Sequence, residues 1–382
     1  MPRRARRVLL ITLGLLLSAF AALNGLAYRH ARAMLGFQDG GQRTSAPEGL
    51  SALARVRVLL LGLDIPRPMS GRAPSTLHPS CRDLSIAALD GPTLAAWYCG
   101  AEIQTPLVVL FHGYAAEKSS LMAEARLLRE LGASVLLVDF RGSGGSSESY
   151  TTLGALEAED VKAAVDYARG ALAHPALILY GQSMGAAAIL RAVQTQGVTA
   201  DGLILEAIFD TLLNAVRNRF RAMGVPSYPS AELLVFWGSR QSGFDGFALN
   251  PVADAASLST PVLFLHGAED RRATLAQARR VYAAVPGPKT FRVFEGTGHT
   301  SLAAQRPAEW KDAVEGLLRV AEGAVRLPDA SSRAGGRGHA GGRGQAGRSC
   351  LLPHPAGLRL GTRQHRVIAY RPRAARARPL PG

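Results

Sequence analysis

At 382 residues and 47% apolar side chains, the chain is long enough for one large globular domain with appendages. Its net charge of +15 sits at the ends: +10 from eleven arginines against Asp329 in residues 328–382 and +4 from Arg3, Arg4, Arg6 and Arg7. That leaves +1 for residues 8–327, which argues against a nucleic-acid-binding body. Three cysteines (Cys81, Cys99 and Cys350) with no C-x-x-C and no Cys/His cluster leave no zinc site.

The N-terminus opens with a basic flank and then an apolar run over residues 8–27, in which Thr12, Ser18 and Asn24 are the polar interruptions. Twenty helical residues at about 1.5 Å each span about 30 Å, the thickness of a bilayer's hydrocarbon core. Residues 1–27 therefore read as a single-pass transmembrane signal-anchor. A cleaved signal peptide is the rival reading, with Ala19-Phe20-Ala21 as its small-residue site, but such apolar regions run only about 7–15 residues. Four arginines precede the run, while Arg29, His30 and Arg32 follow it. That asymmetry predicts a cytoplasmic N-terminus and a body outside the cytoplasm, periplasmic or extracellular, or secreted if the segment is cleaved.

Residues 28–80 read as a linker and one amphipathic helix over 50–63, stopped by Pro66 and Pro68. Strands are expected over 82–88 and 93–99 around Asp90-Gly91, a hairpin signal. If the hairpin pairs in register, Cys81 and Cys99 lie opposite one another and within reach of a disulfide; a slip of one residue would put them on opposite faces. From 106 onward short apolar runs alternate with helical patterns: strands over 106–111, 134–140, 176–180, 202–206, 261–266 and 290–294, with helices near 117–131, 156–169, 184–193, 273–284 and 301–320. Such alternation predicts a mostly parallel twisted sheet with helices on both faces. The rhythm fills a domain over 81–325 and breaks over about 207–260, where a short cap is expected. Residues 326–382, rich in Arg, Gly and Pro without an apolar period, read as a disordered tail.

Gly181-Gln182-Ser183-Met184-Gly185 is a G-x-S-x-G flanked by an apolar strand pattern and a helical pattern. A serine nucleophile at the apex of such a turn needs small neighbours so that the turn closes, hence Gly181 and Gly185. Asp270 falls just past the end of one expected strand and His299 just past the last, in positions to orient a base and to serve as that base. Glu206 and Asp210 are the alternative acids, and Glu269 is one residue away. The oxyanion of an acyl-transfer intermediate requires two donors; the backbone N–H groups of Tyr114 and Met184 are expected to supply them. His112 is read as a buried histidine bracing its loop. Asp139 and Arg141 are expected to pair with each other at a structural turn.

Taken together, His112-Gly113, the D-x-R-G-x-G-x-S from Asp139 to Ser146, Gly181 to Gly185, His266-Gly-x-x-Asp270 and Gly298-His299 resemble the α/β-hydrolase superfamily over residues 82–320. The chain is most similar to the membrane-anchored, esterase-like branch grouped with the serine aminopeptidase (S33-type) hydrolases. The resemblance implies an α/β-hydrolase fold preceded by one transmembrane helix. It also implies a cofactor-free, metal-free mechanism in which Ser183, Asp270 and His299 form the triad and an acyl-enzyme is made and hydrolysed. The expected function is hydrolysis of a carboxylic ester or thioester of a lipid-like or small acyl substrate, with the membrane as a partner and no nucleic acid. A serine aminopeptidase is the alternative, with Asp210, Glu232, Asp245 and Asp254 as acids for a substrate ammonium; a non-catalytic binding protein is a third.

Overall fold

The structure is a computed structural model and describes residues 2–45, 49–87, 91–100 and 105–326. The Arg/Gly/Pro-rich tail from 327 on, Cys350 and the turn residue Asp90 lie outside the described residues.

Helix α1 runs without a break over Arg3–Leu35, eight residues beyond the expected end at 27. The extension has a cause in the sequence. Ala27, Ala31, Met34 and Leu35 repeat at helical spacing and are buried, whereas Val8 to Phe20 stand exposed along the same helix. Full burial of Met34 or Leu35 contributes about 1.5–3 kcal/mol each, more than a linker conformation could return. Helix α2, Ala52–Leu61, begins at Ser51, whose hydroxyl accepts from the Ala54 N–H. It is tied to α1 through His30 Nε2 and the Leu59 carbonyl, 3.0 Å apart.

Strands β1 (Arg82–Ala87) and β2 (Thr93–Cys99) form an antiparallel hairpin in the register Arg82 to Tyr98. That register sets Cys81 opposite Cys99, and the two are joined by a disulfide. The chain then alternates: β3 (Leu107–Phe111), α3 (Met122–Glu130), β4 (Ser134–Val138), α4 (Glu157–Tyr167), β5 (Leu177–Gln182), α5 (Met184–Gln196) and β6 (Gly202–Glu206). Helices α6 (Leu212–Ala222), α7 (Ser230–Ser242) and α8 (Pro251–Ala255) follow, then β7 (Val262–Gly267), α9 (Leu275–Ala284), β8 (Lys289–Phe294), α10 (Leu302–Gln305) and α11 (Pro307–Arg326).

The eight strands make one sheet in the order β1-β2-β4-β3-β5-β6-β7-β8. Pairing is antiparallel from β1 through β4 and parallel from there to β8. Every residue of β3, β4 and β6 is buried, because helices cover both faces; this is why those strands read as continuous apolar runs. Strand β8 lies at the edge and alternates in exposure along most of its length. Helices α6 and α7 form the cap expected near 207–260, and they pack not only on the body but on α1: Ala31 and Met34 share an apolar cluster with Leu212, Val216, Ala231 and Leu234. The Trp237 indole donates to Asn24 Oδ1 at 3.1 Å, which fixes α1 against α7.

Candidate active site

The strand order reverses between β3 and β5, since the chain leaves β3 for β4 on one side and returns to β5 on the other. Open sheets bind ligands at such a switch, beyond the carboxyl ends of the strands. The loops after β3, β5, β7 and β8 carry Tyr114, Ser183, Asp270 and His299 in turn.

Ser183 sits between β5 and α5 with φ 54° and ψ −107°, a conformation that costs a non-glycine residue on the order of 1–3 kcal/mol. Its N–H is held by the Glu206 carbonyl at 2.8 Å, so the neighbouring strand maintains the strain. The flanking glycines are required by close approach. A Cβ on Gly181 would lie 2.5 Å from the Ala186 nitrogen, and one on Gly185 would lie 2.3 Å from the Phe111 carbonyl oxygen.

Asp270 is buried, and each of its oxygens has work. Oδ1 accepts the N–H groups of Arg272 and Ala273 at 2.8 and 2.9 Å, while Oδ2 lies 2.7 Å from His299 Nδ1. An ionised carboxylate only accepts, so Nδ1 carries the proton and Nε2 is left with its lone pair. His266, buried below, anchors this loop through Nε2 to the Ala273 carbonyl at 2.8 Å, and burial lowers its pKa. Ser183 and His299 line one small pocket of about 50 Å³ together with Met184, Tyr114, Leu153 and Phe209. Among the described residues, neither the Tyr114 nor the Met184 N–H donates to an acceptor of the chain.

The other candidates fall elsewhere. Glu206 is fully buried, with its carboxylate on the Leu302 N–H at 3.2 Å and the Trp310 indole at 3.1 Å; burial raises its pKa. Asp210 is paired with Arg280 at 2.7 Å. His112 accepts the Phe140 N–H at Nε2, so its Nδ1 proton goes to the Gly113 carbonyl, and burial keeps the ring neutral. It braces the loop that carries Tyr114. Asp139 and Arg141 do not pair with each other. The Lys118 ammonium lies 2.5 Å from Asp139, which also accepts the Gly145 N–H, so the loop after β4 closes over that carboxylate. Arg141 turns away to Asp160 at 2.7 Å and Glu159 at 3.0 Å on α4.

Three contributors carry no motif. Arg219, over the Tyr114 ring at 5.1 Å, and Arg272 both line the pocket at Ser183. Met34 reaches it from α1, and its carbonyl accepts the Tyr114 hydroxyl at 2.6 Å. Met34 and Arg219 reach the site only through the packing of α1 and the cap, while Arg272 stands on the loop after β7, two residues past Asp270. No group of three or more His, Cys, Asp or Glu able to hold a metal occurs among the described residues.

A mostly parallel sheet covered by helices, with these loops gathered at the carboxyl ends of its strands, defines an α/β-hydrolase fold. The chain belongs to the alpha/beta hydrolase family, whose model matches residues 108–313, more than half of its length. It is 31% identical over 244 residues to the uncharacterized protein Rv2307c of Mycobacterium tuberculosis, covering 61% of this chain and 78% of that one. It is 26% identical over 210 residues to human Protein ABHD12B, covering 53% of this chain and 56% of the relative. Among solved structures it is similar in fold to the Pyrococcus furiosus esterase Pf2001, with a TM-score of 0.55 and 20% identity over 67% of this chain and 98% of that one.

Proposed function

We propose that the chain is a serine hydrolase that cleaves a carboxylic ester or thioester. One observation carries the reading: a strained, buttressed serine opens on the same pocket as a histidine whose far nitrogen is held by a buried carboxylate at 2.7 Å. In this reading His299 Nε2 takes the proton of the Ser183 hydroxyl as Oγ bonds to the acyl carbon and the carbonyl electrons move onto oxygen. The N–H groups of Tyr114 and Met184 receive that oxyanion. Collapse of the intermediate expels the alcohol or thiol, which takes the proton from His299. Water, deprotonated in its turn by His299, then frees the acid and restores Ser183. Asp270 holds the imidazole in the required tautomer throughout.

The pocket chemistry favours an ester over an amino-terminal peptide bond. A substrate ammonium needs a carboxylate beside the serine, but the described lining presents Arg219 and Arg272 and no acid. Of the four cap acids, Asp210 pairs with Arg280, Glu232 with Arg217 and Asp245 accepts the Phe247 N–H, while Asp254 stands on α8 and does not line the pocket. Helix α1 is long and apolar enough to cross a membrane. With the arginine bias at its start, this supports the reading of a single-pass anchor with the hydrolase outside the cytoplasm.

A fluorophosphonate probe applied to the purified protein tests the nucleophile. Labelling is expected at Ser183 and is expected to vanish in Ser183→Ala; labelling that persists in the variant refutes the assignment. Turnover of p-nitrophenyl esters with none of aminoacyl anilides is the expected substrate pattern, and the reverse pattern would install the peptidase.

A further inference from the structure

The pocket beside Ser183 borders another. It shares Met34, Tyr114, Val216, Arg219 and Arg272 with a second cavity of about 530 Å³, ten times larger. That volume falls within the range of sites for small organic ligands, about 300–1,000 Å³. Its walls are largely apolar, with Leu23 and Leu26 of α1, Val58 and Leu60 of α2, and Phe220 and Leu234 of the cap; Arg43, Arg219 and Arg272 are among its polar lining. No carboxylate lines it.

The position of α1 selects the occupant. The exposed apolar stretch from Val8 to Phe20 makes up the first part of the bilayer-length run over 8–27, and Leu23 enters the cavity wall one turn after Phe20. The cavity therefore opens along the last turns of that run, at Leu23, Leu26 and Ala27. Leu60 lines it and is also 57% exposed, and Leu53, Val56 and Leu61 on the same helix are exposed as well, so the rim at α2 is itself apolar. An alkyl chain can pass from hydrocarbon to such a rim without being hydrated on the way, which is the costly step for apolar matter in water.

We propose that this cavity is the acyl-chain subsite for a membrane-resident ester with one long alkyl chain, with the membrane-proximal half of α1 as one wall. The chain lies between α1, α2 and the cap, and its carbonyl reaches Ser183 through the neck at Met34 and Tyr114. The proposal rests on the serine-hydrolase and membrane-anchor readings above, and it deepens them by assigning the substrate class and the route of entry.

The experiment uses the full-length protein in detergent micelles, with active sites titrated by a fluorophosphonate. The kcat/KM ratio of p-nitrophenyl palmitate to p-nitrophenyl acetate is measured for wild type, Leu26→Trp on the α1 wall, Val58→Trp on the α2 wall, and Phe247→Ser on the exposed cap surface. Wild type is expected to prefer palmitate. Each Trp variant is expected to lower the ratio at least tenfold, while Phe247→Ser keeps it. Leu26→Ser replaces Leu26→Trp if the latter does not titrate, with the same direction expected. A ratio that stays constant across the wall variants overturns the proposal. A second readout is independent of catalysis: binding of cis-parinaric acid to Ser183→Ala, followed by fluorescence, is expected to saturate and to be lost when Leu26→Trp is added. If wild type turns over neither ester yet binds the probe in this Leu26-dependent way, the hydrolase reading fails and the acyl subsite stands. Turnover without chain preference or probe binding sinks the subsite and leaves the hydrolase. Probe binding with an unchanged ratio marks a structural lipid site and also overturns the proposal.

Discussion

His299 Nδ1 lies 2.7 Å from Oδ2 of Asp270, whose other oxygen is fixed by two backbone N–H groups, so the imidazole is oriented by a carboxylate that cannot itself turn away. Asp270→Asn keeps the size of the side chain but presents an amide where the imidazole proton needs an acceptor. The ring then favours the tautomer with its lone pair at Nδ1, and Nε2 loses its basicity toward Ser183. In the serine-protease triad the same change lowers kcat by about 10⁴. A loss of that order in ester turnover, with KM little changed, is expected in steady-state kinetics. A loss below about tenfold would return Glu206 to consideration as the acid.

The turn at Ser183 depends on a backbone approach that only glycine permits. A Cβ on Gly185 would stand 2.3 Å from the Phe111 carbonyl oxygen, a strand atom that cannot move without disturbing β3 and the loop that carries Tyr114. Gly185→Ala is expected to cost about 2 kcal/mol through overpacking, a drop of roughly 4–8 °C in melting temperature. Fluorophosphonate labelling should fall as well, since the strain of Ser183 and the position of its helix change together. An unchanged melting temperature would show that the turn is looser than its geometry indicates.

Behind the site, Glu124 accepts the Ser301 hydroxyl at 2.6 Å, and Glu206 accepts the Leu302 N–H. These contacts hold the start of α10, three residues past His299. Burial, and then the nearby Glu206 charge, raises the Glu124 pKa from 4.5 to about 8. A raised carboxyl pKa means that the folded state binds the proton more tightly than the unfolded one. The stability it contributes is complete below about pH 4.5 and is lost as pH rises through about 8. Glu124→Gln keeps an acceptor for Ser301 and removes the titration. Calorimetry across this window is expected to show the wild type losing several degrees more than the variant. Parallel curves would mean that the carboxyl is ionised throughout.

The sheet, its strand order of appearance and the four loops at its carboxyl ends are legible in the sequence because each depends on local signals: buried runs such as 107–111, and glycines at a forced approach such as Gly185. The end of α1 is not legible in the same way. Residues 28–35 mix Arg29, His30 and Arg32 with Ala31, Met34 and Leu35, and they remain helical only because α7 and the cap offer that face a partner. Asp139 and Arg141 illustrate the same limit. Opposite charges two residues apart read as a pair, yet the partners are Lys118 and Asp160, which lie 21 and 19 residues away. Arg219, Arg272 and Met34 carry no motif at all; Arg219 and Met34 enter the site through the packing of α1 and the cap, and Arg272 rides on the Asp270 loop.

Cys81 and Cys99 are joined by a disulfide across the first hairpin. The hairpin register sets the two opposite one another, and both are buried, at 8% and 0% exposure. The sequence separation is 18, and closing a loop of about that size in the unfolded chain is worth about 3 kcal/mol. Replacing both with serine is expected to lower the melting temperature by roughly 6–12 °C and to leave the pocket at Ser183 intact, since neither sulfur lines it. The bridge also reports on topology. Disulfides persist outside the cytoplasm and are reduced within it, so an outward-facing body predicts a linked peptide. Mass spectrometry of non-reduced protein taken from its native membrane should find Cys81 joined to Cys99. Two free thiols in that sample, with the bridge forming only after air oxidation, would place the body on the reducing side and reverse the orientation read from the arginines before α1.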